Sequence, residues 1–168
     1  MRETIQKRIG TLLRDSGRTL SAAESCTGGR ISHLLTTVSG SSAYYLGSVT
    51  SYAIPVKEKV LAVPGRTIRE CGVVSAEVAA AMAEGVRRLT GSTYAVSTTG
   101  LAEGGDERYP EGTVWIGVSG PAGTITRKYR CDLGRSGNIR RFATVALHTL
   151  AAYIQKDLSN CKTIKETK

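Results

Sequence analysis

The chain has 168 residues, 40% of them hydrophobic and 22% charged, with a net charge of +9. That length suits one domain with its own buried core, the composition excludes wholesale disorder, and no apolar run reaches the length of a membrane span. The basic excess sits in residues 1–18 (+3), 127–141 (+5) and 156–168 (+2), without the interleaved aromatics that stack on bases, so specific nucleic-acid binding is not expected.

In chain order, Ile5, Ile9, Leu12 and Leu13 recur at helical spacing, and Asp15-Ser16-Gly17 supplies a stop. These opening residues lack the apolar core of a signal peptide, which sets the cytoplasm as the expected location. Residues 19–23 read as a short buried strand. After Gly29, the spacing of Ile31, Leu34, Leu35 and Val38 predicts a helix. Residues 47–52 read as a strand and 57–63 as a short helix ended by Val63-Pro64-Gly65. Ser75 is a candidate N-cap, with Glu77 in the first turn and Val78, Met82, Val86 and Leu89 as the apolar stripe.

Residues 93–98 form the next strand, and residues 99–112 a polar, glycine-containing loop of a length more often functional than inert. Residues 113–118 and 124–131 flank Ser119-Gly120-Pro121-Ala122-Gly123 as a hairpin. Ile139, Ala143, Ala146 and Leu150 mark a final helix, with a polar tail over 156–168 expected to fray. The order predicts one α/β domain over residues 1–155, a three-layer α/β/α sandwich with a mixed, mostly parallel sheet. The four cysteines, Cys26, Cys71, Cys131 and Cys161, show no paired spacing and no histidine cluster beside them. They are expected to be free thiols, with no metal and no cofactor.

The stretch Glu24-Ser25-Cys26-Thr27-Gly28-Gly29 lies where the first strand turns into a helix. Ligands in open α/β sheets bind beyond the carboxyl ends of strands, and a helix start offers unpaired amides to an anion. Two readings stay open at this point. Either Ser25 or Thr27 caps the helix and the glycines only shape the turn, or the turn binds a ligand. The same choice applies to Thr98-Thr99-Gly100.

Four stretches, AESCTGG, SAYYLGSVTSYAIPVKEKVLAVP, GVVSAEVAAAMAEGVRRLTGSTYAVSTTGLA and PEGTVWIGV, resemble in consistent order the C-terminal domain family of CinA over about residues 5–155. Members of that family include nicotinamide mononucleotide amidases. The resemblance implies the three-layer fold in a standalone form, a small-molecule nucleotide substrate, no membrane, and a homodimer. It also implies hydrolysis of the carboxamide of nicotinamide mononucleotide to nicotinate mononucleotide and ammonia, in pyridine nucleotide salvage. By the same resemblance Ser25 is the nucleophile, Lys57 its base and Tyr52 an assistant, with Cys26, Thr27, Gly28, Gly29, Thr99 and Gly100 around the substrate.

This chain departs from the family's pattern in three places. It has Tyr52-Ala53-Ile54 where relatives carry Tyr-Ser-Asn, Ala102-Glu103-Gly104-Gly105 in a shorter glycine loop, and Arg135-Ser136 where an acidic-basic pair is usual.

Amide hydrolysis needs a nucleophile, a base, an acid for the departing amine and donors for the oxyanion. His33 and His148 read as surface or packing residues, which leaves a serine-lysine arrangement; Cys26 is the competing nucleophile. Lys59 reads as a surface charge, and so would Lys57 without the resemblance. As a base Lys57 must lose about two to three units of pKa, with Ile54, Pro55, Val56 and Val60 expected to bury it. A non-catalytic nucleotide-binding or regulatory domain is the alternative function, and a purely structural subunit the third reading.

Overall fold

A computed structural model describes residues 3–166. Its elements are α1 (Ile5–Ser16), β1 (Leu20–Glu24), α2 (Arg30–Thr36), a 3-10 turn (Ser41–Ala43), β2 (Tyr45–Thr50), α3 (Ile54–Lys59), α4 (Gly65–Cys71), α5 (Ala76–Thr90), β3 (Tyr94–Gly100), β4 (Thr113–Gly120), β5 (Gly123–Arg130) and α6 (Gly134–Glu166). The strand order is β2-β1-β3-β4-β5. β1 pairs in parallel with both β2 and β3, whereas β3–β4 and β4–β5 are antiparallel. Four strands therefore point one way and β4 alone runs against them, giving the mixed sheet expected.

β1 is buried along its whole length because strands flank it on both sides and helices cover both faces. On one face Ile9 and Leu13 of α1, Ile31 and Leu35 of α2 and the apolar stripe of α6 from Phe142 to Ile154 pack on Leu20, Ala22, Val96 and Ile116. On the other, Ile68 of α4 and Val78, Met82 and Val86 of α5 pack on Ala23 and Ala95. Each fully buried large side chain contributes roughly 1.5–3 kcal/mol to holding the layers together. α5 starts as its sequence dictates, with Ser75 Oγ accepting from the Val78 amide at 3.2 Å.

Three expectations need correction. The helix placed at 57–63 begins earlier, at Ile54, where Pro55 fits a first turn that needs no N–H. α4 was not foreseen, because seven residues hold too little periodicity. α6 does not end near residue 155 but runs to Glu166, and Asp157, buried, accepts a 2.7 Å hydrogen bond from Tyr94 Oη. That bond ties the segment to the centre of the sheet. The last two residues lie outside those described. No described helix is long and apolar enough to cross a membrane.

Candidate active site

The carboxyl ends of β1 and β2 lie side by side, so Ser25 and Ser51, each one residue past its strand, face each other across the ladder. The Ser25 amide donates to the Thr98 carbonyl at 3.0 Å and the Ser51 amide to the Glu24 carbonyl at 2.8 Å, which extends the sheet by one rung and fixes both backbones. α3 then folds back over this end and inserts Lys57, which is 1% exposed. Lys57 Nζ donates to Ser25 Oγ at 3.0 Å, to the Ser51 carbonyl at 2.5 Å and to the Tyr52 carbonyl at 3.3 Å. Two carbonyls thus take two of the three hydrogen directions of a tetrahedral nitrogen, and the remaining direction points at the serine.

Burial lowers the Lys57 pKa from its ordinary 10.5 to about 8. The cause is not the one expected from sequence, since Ile54, Pro55 and Val60 are exposed and Val56 only half-buried. Lys57 is the one residue of α3 turned fully inward, and desolvation comes from the sheet end it covers. Lys59 is exposed on the same helix, and His33 and His148 are exposed elsewhere.

Cys26 is a core residue. Burial pushes its thiol up to about 12, outweighing the lowering effects of a Thr98 hydrogen bond and of nearby Lys57. A buried thiol held that high is a poor nucleophile near neutral pH, which favours Ser25 over Cys26 as the candidate.

The turn after Ser25 differs from the expected anion cradle. Gly28 and Gly29 adopt φ of 57° and 94°, left-handed values open to glycine at little strain, and they swing α2 back under Glu24. The Glu24 carboxylate is fully buried. Its Oε2 accepts from Thr27 Oγ1 at 2.6 Å, the Gly29 amide at 3.1 Å and the Ile31 amide at 3.0 Å, and Oε1 accepts from the Ser32 amide at 2.9 Å. The helix start that could have held a substrate anion is filled by the chain's own carboxylate, and the Gly28 amide bonds to the Ser25 carbonyl. Among the described residues, the Thr27 amide makes no hydrogen bond to the backbone, while the Cys26 amide faces its own thiol. The Thr27 amide is thus a donor left beside Ser25.

Sequence reasoning gave Glu24 no role. The signal was present in α2 itself, whose first residues offer no capping side chain for the orphan amides.

Thr99 and Gly100 do not form a turn. They are the last residues of β3, paired with Trp115 and Val114 of β4. Thr99 Oγ1 donates to the Val73 carbonyl at 2.8 Å. A Cβ on Gly100 would lie 2.5 Å from the Thr113 carbonyl oxygen, so glycine is required there for strand approach. Tyr52 also sits differently from expectation. Its carbonyl touches Lys57, but its side chain, 63% exposed, turns outward, and its phenol accepts from Arg135 Nη2 at 3.1 Å.

Cavities of about 610 Å³ between β5 and α6, about 560 Å³ where α1 meets α2 and α6, and about 530 Å³ between α1 and the end of α6 all lie away from this site. None of them is lined by Ser25 or Lys57. Among the described residues no group of three His, Cys, Asp or Glu side chains could hold a metal ion, and all four cysteines are free.

A mixed-sheet α/β domain with a serine and a buried lysine in contact at adjacent strand ends defines the class. The family model of the CinA C-terminal domain matches residues 2–154, and the chain belongs to that family. A CinA-like protein of Salinibacter ruber is 47% identical over 146 residues, covering 86% of this chain and 35% of that protein. One from Acaryochloris marina is 47% identical over 145 residues, covering 84% and 35%. The chain thus spans about a third of the length of such relatives. Among solved structures, the competence/damage inducible protein of Agrobacterium tumefaciens superimposes with a TM-score of 0.82 at 31% identity, covering 90% of this chain and 98% of that one. The competence damage-inducible protein A of Klebsiella pneumoniae gives 0.85 at 27% identity, covering 88% and 93%.

Proposed function

We propose that this domain is an amidohydrolase that converts nicotinamide mononucleotide to nicotinate mononucleotide and ammonia in pyridine nucleotide salvage. The observation that carries this reading is the 3.0 Å contact between Ser25 Oγ and a buried Lys57 whose pKa is drawn down to about 8. A lysine in that range is neutral in an appreciable fraction of molecules near neutral pH and can act as a base.

The steps follow from the contacts. The Ser25 hydroxyl passes its proton to the neutral Lys57 amine, and Oγ attacks the carboxamide carbon. The oxyanion that forms is met by the Thr27 amide, which the backbone leaves unused. The resulting Lys57 ammonium is held by the Ser51 and Tyr52 carbonyls and gives its proton to the departing nitrogen. The carbon-nitrogen bond breaks and ammonia leaves, with the acyl group esterified on Ser25. Water, deprotonated by the regenerated amine, attacks the acyl carbon; the bond to Oγ breaks, Lys57 returns the proton to Oγ, and the acid leaves. Ammonia release from nicotinamide mononucleotide by the purified protein tests the proposal, and its absence, with the protein folded and the nucleotide bound, favours a non-catalytic nucleotide-binding domain.

A further inference from the structure

We propose that Arg135, braced by Tyr52 and Glu103, recognises the phosphate monoester of the nucleotide substrate at the rim of the Ser25–Lys57 site. This rests on the amidohydrolase reading above. A phosphate monoester carries nearly two negative charges at neutral pH and needs donors that are both cationic and free.

The groups expected to supply them are committed elsewhere. The amides at the start of α2 serve Glu24, and the Thr99 hydroxyl serves the Val73 carbonyl. The Arg108 guanidinium donates to the carbonyls of Glu70 and Cys71. Arg135 is different. Its side chain is 48% exposed, Nη2 donates to the Tyr52 phenol, and Nη1 lies 3.7 Å from Glu103 Oε2, itself 64% exposed. A guanidinium has five donors in a planar fork suited to phosphate, and these two loose contacts leave most of them available.

Tyr52 sets the location. Its carbonyl accepts from Lys57 Nζ while its phenol accepts from Arg135, so a single residue spans from the reacting pair to the guanidinium. Three separate segments meet there: the turn after β2, the loop following β3 and the first turn of α6. Glu103 is the carboxylate that shares Arg135 within the chain, so it competes with an incoming phosphate.

The test compares kcat/KM for nicotinamide mononucleotide with that for its unphosphorylated riboside. Arg135→Gln should cut the preference for the phosphorylated substrate about tenfold or more, and Glu103→Gln should increase it. An unchanged preference in Arg135→Gln overturns the assignment. So does a loss that follows Arg30→Gln instead, because the Arg30 Nε is buried without a partner at the start of α2. If neither compound is hydrolysed, the amidohydrolase reading fails and the site is tested directly. Inorganic phosphate titrated into the wild-type chain should then perturb the Arg135 side-chain NMR signal and lose its binding in Arg135→Gln. Equal phosphate binding by both proteins, or none by either, overturns the assignment.

Discussion

Ser25 and Lys57 are 32 residues apart in sequence, yet Lys57 Nζ sits 3.0 Å from Ser25 Oγ with two backbone carbonyls holding it on that line. The pair is aligned by main-chain atoms, which leaves its geometry insensitive to most side-chain changes around it. Removing either partner should therefore abolish turnover to a similar extent, by about a thousandfold or more, because residues acting as one unit are not additive. Lys57→Arg should not rescue, since a guanidinium stays protonated. Cys26→Ala should keep most of the activity, as measured by ammonia release. Activity lost in Cys26→Ala and kept in Ser25→Ala would reverse the assignment.

The pH dependence has a defined sign. With the Lys57 pKa near 8, kcat/KM should rise with pH and level off above that value. Folding stability is linked to the same group. Between about pH 8 and 10.5 the unfolded chain binds this proton and the native chain does not, so stability contributed through Lys57 increases over that window, by up to about 3 kcal/mol. Below pH 8 the native state carries a buried charge. Urea denaturation of wild type and Lys57→Met at several pH values should show a difference that shifts in favour of wild type as pH rises from 8. A pH-independent difference would contradict the linkage.

Glu24→Gln should be destabilising despite its near-identical shape. One carboxylate oxygen faces three donors and the other faces the Ser32 amide, so an amide NH₂ on either side places donor against donor. A loss of about 2–4 kcal/mol is expected for a buried charge-assisted network of this kind, measurable as a lowered urea midpoint. Catalysis should fall in parallel, because the same carboxylate fixes the turn that presents Ser25. A change under 0.5 kcal/mol would show that water replaces these contacts.

Truncation after residue 155 should also destabilise the domain. It leaves the phenol of Tyr94, fully buried at the start of β3, without the Asp157 carboxylate. A buried unsatisfied hydroxyl costs about 1–3 kcal/mol, so thermal unfolding of the truncated chain should begin several degrees lower. Asp157→Asn, which keeps an acceptor, should lose less.

Elements with strong periodicity were legible in the sequence. The apolar stripes of α1 and α6 and the hairpin of β4 and β5 fall where spacing and turn residues put them, as does that of α5 except for Leu89, which lies exposed in the helix's last turn. The neighbours of Lys57 illustrate why the rest was not. Ile54, Pro55 and Val60 are apolar in composition but lie outward on a six-residue helix, and burial of the lysine is decided by what the helix covers. Thr99-Gly100 looked like a turn because glycine is common there, whereas close strand pairing gave the same residue another cause. The tail past residue 155 is polar overall, and only the partner of Asp157, 63 residues earlier, shows why it is ordered. Such long-range contacts leave no local pattern to read.

The unit from β1 to α3, residues 20–59, holds the whole reacting pair and the turn that orients it. Arg135 and Glu103 belong to other parts of the chain. On the function proposed above, bond-breaking and ligand choice would be carried by separate stretches of sequence. Drift in the loop after β3 or at the start of α6 would then retune what is accepted and leave the proposed hydrolytic step intact. A library randomised only at residues 101–112 and 132–136 is the natural starting point for redirecting the domain toward other carboxamides.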